Sequence, residues 1–155
     1  MKKCMLLLLF SLLLIGNYKG FPLLWGCYQK PVIDENDTRS LYERLGGKEA
    51  LTAVLKNFAK NIAEDERING FFIGVDLEKV EQKLFEQICE ATGGPCTYTG
   101  RDMVTVHKGM NITDEQFNAM VEDLIKSLNK FNVGEREKKE LLDILGSLKG
   151  SIAGI

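Results

Sequence analysis

The sequence is poor in the residues that build most recognisable sites. It has one histidine, one tryptophan, three prolines and four cysteines in 155 residues. A single histidine, His107, cannot build a multi-histidine metal centre, and no cysteine pair has zinc-finger spacing. Four cysteines are also too few for a fold held together by disulfides. Three prolines alongside 45% hydrophobic residues exclude collagen-like, mucin-like and disordered chains. Neither charge dominates: 20 Lys+Arg face 22 Asp+Glu, a net charge of −2 that gives no electrostatic case for a nucleic-acid partner. No phosphate-binding glycine loop, dinucleotide fingerprint or nucleophile elbow occurs. The length suits one domain.

One long apolar run is present, and it stands at the N-terminus. Lys2 and Lys3 precede Cys4 to Ile15, a stretch apolar on every face. A basic start and an apolar run of that length read as a secretory signal over residues 1–26. The run is too short to cross about 30 Å of hydrocarbon as a helix. Leu24-Trp25-Gly26-Cys27 resembles a bacterial lipobox, in which Cys27 would be lipidated, although Trp25 is bulky for that motif. Cleavage near Gly20 and an uncleaved anchor are the alternatives. Removing residues 1–26 takes away Lys2, Lys3 and Lys19 and moves the net charge from −2 to −5. Residues 27–39 are polar and aperiodic and read as a linker. The expectation is an exported protein of a bacterial cell envelope, periplasmic or membrane-anchored, with its domain over residues 40–155.

That domain reads as all-α. Ser40-Leu-Tyr-Glu43 is a capping box opening a short helix that stops at Gly46-Gly47. From Lys48, the residues Leu51, Val54, Leu55, Phe58 and Ile62 form a helical stripe. Asp76 can cap a third helix carrying Leu77, Val80, Leu84, Ile88 and Ala91, which Gly93-Gly94-Pro95 ends. Residues 95–112 carry turn formers and a short helix around Met103–Lys108. Thr113-Asp-Glu-Gln116 is a second capping box, and Phe117, Met120, Val121, Leu124 and Leu128 follow on one face. Gly134 separates a last helix through Leu141, Leu142, Leu145 and Leu148. No segment alternates with period two.

A lone histidine in an apolar helical domain can supply the single axial ligand of a haem iron; the bland alternative is a structural histidine. The surrounding residues favour the first. Phe71-Phe72, Gly93-Gly94-Pro95, Tyr98-Thr99-Gly100, Met103, His107, Gly109 and Ile112 resemble the group I truncated haemoglobins. Leu41-Tyr-Glu-Arg-Leu-Gly-Gly47 looks like that family's opening helix. The resemblance runs from about Ser40 to Leu148.

The resemblance implies a two-over-two helical globin sandwich with haem b as cofactor and diatomic gases (O2, NO, CO) as ligands. His107 falls at the proximal, iron-ligating position, and a backbone carbonyl one turn earlier would orient its other nitrogen. Phe58, Phe72, Met103, Ile112 and Phe117 would pack around the haem. Val80, Leu84 and Ile88 would face it from the distal helix, and Tyr98 would reach a propionate. Lys83 would bind a propionate, ligate iron as a neutral amine, or remain solvated.

The chain departs from the family on the distal side. Where the typical member has Phe-Tyr, this sequence has Phe58-Ala59, so a methyl group replaces the hydroxyl that bonds iron-bound oxygen. The distal pocket becomes Ala59, Val80 and Leu84, with Gln87 either a solvated edge residue or a substitute donor. Cys89 and Cys96 can form a disulfide across the Gly-Gly turn or stay as two buried thiols. Two other readings compete with gas binding. One is a haem oxidoreductase that detoxifies NO or acts as a weak peroxidase with an electron-donor reductase; no distal histidine or carboxylate is present to assist O–O cleavage. The other is an interaction module that has kept the fold without the cofactor, and within gas binding itself the alternative to carriage is a gas or redox sensor in the cell envelope.

Overall fold

The computed structural model describes residues 37–155. The expected signal 1–26, Cys27 and most of the linker 27–39 lie outside the described residues. Ser40 caps α1 (Leu41–Arg44): its hydroxyl accepts from the Glu43 N–H (3.2 Å), and the Glu43 carboxylate accepts from the Ser40 N–H (2.9 Å). Two donors that a helix start leaves orphaned are thereby satisfied. Gly46 then takes φ +94°, where a Cβ would lie 2.7 Å from that of Ala50. Only glycine turns the chain there without strain, and α2 (Gly47–Glu64) begins one residue before Lys48.

The remaining helices are α3 (Leu77–Ala91), α4 (Met103–His107), α5 (Asp114–Lys130) and α6 (Glu135–Gly146). Two single turns of 3-10 helix, Asn69–Phe72 and Lys149–Ser151, complete the order. No strand occurs among the described residues, and none of their helices is long and apolar enough to cross a membrane.

The core is built where α2 packs on α5 and α3. The stripe Leu51, Val54, Leu55, Phe58 and Ile62 is between 1 and 4% exposed and joins Ala119, Leu124 and Leu128 of α5. Apolar burial of this kind is the main favourable term in folding. A polar seam fixes how the two helices meet. Asn61 Nδ2 donates to the Asp123 carbonyl (3.2 Å) and to Ser127 Oγ (3.0 Å), so the buried hydroxyl is not left unpaired. At the other end, the nearly buried Arg44 ties α1 to Glu137 (2.8 Å) and Glu140 of α6. The chain closes with Gly154 N–H donating to the Ile112 carbonyl (3.0 Å), which folds the last turn against the segment after α4.

Candidate functional site

The site is arranged around α4, a helix of five residues. Asp102 caps it, accepting the Thr105 N–H (2.9 Å) and the Thr105 hydroxyl (2.6 Å). Those two bonds, the hydroxyl's first, hold the Asp102 carboxyl below the usual carboxylate range. His107 closes the helix, and its Nδ1 lies 2.8 Å from the Met103 carbonyl oxygen. A carbonyl can only accept, so Nδ1 carries the proton of this bond. In that tautomer Nε2 is the nitrogen with the lone pair, and it has no hydrogen-bond partner among the described residues. The orienting carbonyl one turn earlier is the one expected from the sequence.

His107 borders two cavities. The first, of about 410 Å³, is mostly apolar; Phe71, Phe72, Ile112, Phe117, Met120 and Ile152 are among its walls, with Arg101 and Gln116 as polar members. The second, of about 520 Å³, lies between α3 and the segment 98–107. Val80, Lys83, Leu84 and Gln87 form its α3 side, facing Tyr98, Arg101 and Met103. Val75, Val80, Arg101 and Val106 border both, as His107 does. An apolar slot with a cationic rim on one side and an imidazole lone pair on its wall fits a flat apolar group with acidic edge substituents and a metal centre.

Most of the residues singled out from sequence meet here. Phe72, Ile112 and Phe117 line the first cavity, Lys83, Leu84, Gln87, Tyr98 and Met103 the second, and Val80 and His107 both. Phe58, Ala59 and Ile88 do not line either; they are buried in the core at 4, 7 and 2% exposure. Gln87 is on the cavity wall beside Lys83 and Leu84, away from Ile88 on the core face.

Lys83 has partners of its own. Its Nζ donates to Glu86 Oε2 (2.7 Å) and to Thr99 Oγ1 (2.5 Å). Donation from Lys83, then from Thr99, pulls the Glu86 carboxyl down to about 2. An ammonium donating to two oxygens has no lone pair to offer a metal. Tyr98 donates its hydroxyl to the Arg101 carbonyl (2.8 Å), which shapes the rim. Cys89 and Cys96 are joined as a disulfide, with Cα atoms 5.7 Å apart. Gly94 makes that approach feasible, because a Cβ there would lie 2.6 Å from Cys89 Sγ and 2.8 Å from Tyr42 Cδ2.

Ile68, Phe71, Val106, Met110, Met120 and Ile152 also line the first cavity and were not picked out as site residues from sequence. Met120 carried a signal, three residues after Phe117 on one helix face. Ile152 carried none, since it sits in an aperiodic C-terminal turn.

An all-helical domain whose one histidine borders an apolar slot defines a globin-type haem protein. Residues 40–153 match the bacterial-like globin family, and the chain belongs to it. It is 36% identical over 114 residues to the group 1 truncated hemoglobin GlbN of Mycolicibacterium paratuberculosis, covering 74% of this chain and 84% of that one. Its fold matches the Fe(III) form of the truncated hemoglobin of Tetrahymena pyriformis with a TM-score of 0.73 at 29% identity, over 76% of this chain and all of that one. The 2/2 hemoglobin of a Synechococcus species, solved with covalently attached heme, matches with a TM-score of 0.67 at 33% identity, over 72% of this chain and 94% of that one. The fold is therefore the truncated two-over-two globin. Membership carries haem as the cofactor and, in general terms, the binding of diatomic gases.

Proposed function

We propose that this protein binds haem b through His107 Nε2 and takes up O2, NO or CO at a weakly polar ligand side, and that O2 storage is not its task. The observation that carries this reading is the bond from His107 Nδ1 to the Met103 carbonyl. It fixes the tautomer, turns the ring, and leaves the ligating nitrogen free at the border of both cavities. When bound, the haem supplies an iron with a coordination position for a gas. Phe72, Ile112 and Phe117 exclude water from its apolar faces, while Arg101 and Tyr98 stand at the rim where acidic substituents would emerge. Lys83 serves that rim through its charge; its two oxygen partners argue against iron ligation.

The ligand side follows from Val80 and Leu84, which line the second cavity, and from Ala59, which lies in the core and puts a methyl where the family resemblance has a tyrosine. None of the three donates a hydrogen bond, and Gln87 is the one amide on that wall. A hydrogen bond to bound O2 in a dry pocket is worth about 1–3 kcal/mol. Its loss speeds O2 release roughly ten- to a hundredfold at 1.4 kcal/mol per decade. CO is less polar when bound and suffers less. Stopped-flow release of O2 and CO from the ferrous protein tests this: fast O2 loss with ordinary CO retention is expected, and slow O2 loss would sink the reading.

The location belongs to the same proposal. The Cys89–Cys96 disulfide supports an oxidising compartment, and the basic-apolar start of the sequence supports export to a bacterial envelope, with lipidation at Cys27 as the attachment. An electron donor that keeps the iron ferrous completes this reading.

A further inference from the structure

The segment between α3 and α4 is bonded to its neighbours at its start, residues 92–94, and supplies one wall of the second cavity from residues 98–101. Tyr98, Thr99, Gly100 and Arg101 face Val80, Lys83, Leu84 and Gln87 across the opening. Near the middle of the segment, Thr99 is knotted to α3: its N–H and hydroxyl donate to Glu86 Oε2 (3.2 and 2.8 Å), and its hydroxyl accepts from Lys83. Nearer its start, the covalent bond from Cys96 to Cys89 fastens it to the last turn of α3. The two anchors sit on either side of residues 97 and 98, so the wall's position depends on both.

We propose that the Cys89–Cys96 disulfide is a reversible redox latch on the wall of the second cavity. Its reduction frees residues 95–101 and loosens the grip on the cofactor. This rests on the reading of that cavity as part of the haem site.

The chemistry needs a thiol reductant, either a dithiol protein or a small thiol. Its thiolate attacks Sγ of Cys96, the partly exposed residue of the pair, and Cys89, which is 0% exposed, leaves as thiolate. A second thiol of the reductant then displaces Cys96. Two electrons and two protons enter the pair, and the reductant departs as its own disulfide. The way back is built into the backbone. Gly94 N–H donates to the Cys89 carbonyl (2.7 Å), and a Cβ at 94 would clash with Cys89 Sγ at 2.6 Å. This turn owes nothing to the sulfur bond, so it keeps the two thiols close enough for an oxidant to rejoin them. With the latch open, the Glu86–Thr99–Lys83 knot is the tie that remains between residues 95–101 and α3.

The test uses the full-length ferric holoprotein. Haem transfer to excess apomyoglobin is timed with the disulfide intact, after dithiothreitol, and in the Cys89→Ser/Cys96→Ser variant with and without dithiothreitol. Hydrogen exchange of residues 95–101 is followed in the same samples. The latch predicts severalfold faster transfer and faster exchange after reduction, with the variant fast in both conditions. Unchanged exchange after reduction overturns it. Faster exchange with unchanged haem transfer overturns the link to the cofactor. If the protein takes up no haem, the functional reading fails, while exchange still reports whether the latch governs this segment.

Discussion

The α2–α5 half of the domain and the α4 region are held by different means. In α2, six residues are buried, and Leu51, Leu55 and Ile62 are 2% exposed or less. Helix α4 contributes no buried residue, and Val104 and Val106 are 48 and 36% exposed. The first half is fixed by side chains packed on one another, whereas α4 is held together locally by the Asp102 cap and the His107–Met103 bond and meets the C-terminal turn Lys149–Ser151. A short, locally bonded helix beside two cavities gives a cofactor room to enter. A densely packed core is the frame that keeps its ligand in register.

The sharpest way to break the contrast is Leu55→Ala. At 1% exposure, the cavity it leaves should cost about 2–5 kcal/mol in urea unfolding, and the haem spectrum of the folded fraction should be unchanged. A smaller effect is expected on the ligand side. Ala59 lines neither cavity, but Ala59→Tyr extends a ring and hydroxyl from that core position, and a hydroxyl that reaches the ligand should slow O2 release roughly tenfold or more, read by stopped flow. If release is unchanged, position 59 does not face the ligand.

Acid probes the knot at Glu86. Its folded value of about 2 lies below the ordinary 4.5, so the carboxylate stabilises the fold above pH 4.5. That contribution is lost as the pH falls through the interval towards 2. The urea midpoint should fall over this range, and Glu86→Gln should flatten part of the slope. The smallest effect is Val104→Ala on the exposed side of α4, within about 0.5 kcal/mol by the same unfolding measurement.

The packed half was the more legible in sequence. The capping box at Thr113 and the stripe Leu51–Ile62 announce helices long enough to show a period, and the box at Ser40 marks the four-residue α1 by its start alone. Five residues of α4 cannot show one, so the role of His107 came from the resemblance of its surroundings. Helix α3 was half legible because it has two apolar directions. Ile88 and Cys89 turn to the core, while Val80, Lys83, Leu84 and Gln87 turn to the cavity, and a single stripe merges them. That is why Gln87 looked off-line and Ile88 looked like a wall residue. Spacing left Cys89 and Cys96 open between bond and thiols, since pairing depends on the Gly93-Gly94 turn bringing the Cα atoms to 5.7 Å. Ile152 reaches the first cavity through tertiary folding of the chain end, for which no local pattern exists.

The central claim is that His107 is the iron ligand, and one optical measurement addresses it. Full-length protein and His107→Ala are each given haem, reduced and exposed to CO. The account predicts a five-coordinate ferrous histidine spectrum that converts to a CO complex in the first, and loss of that spectrum in the second. Identical spectra from both proteins would contradict it.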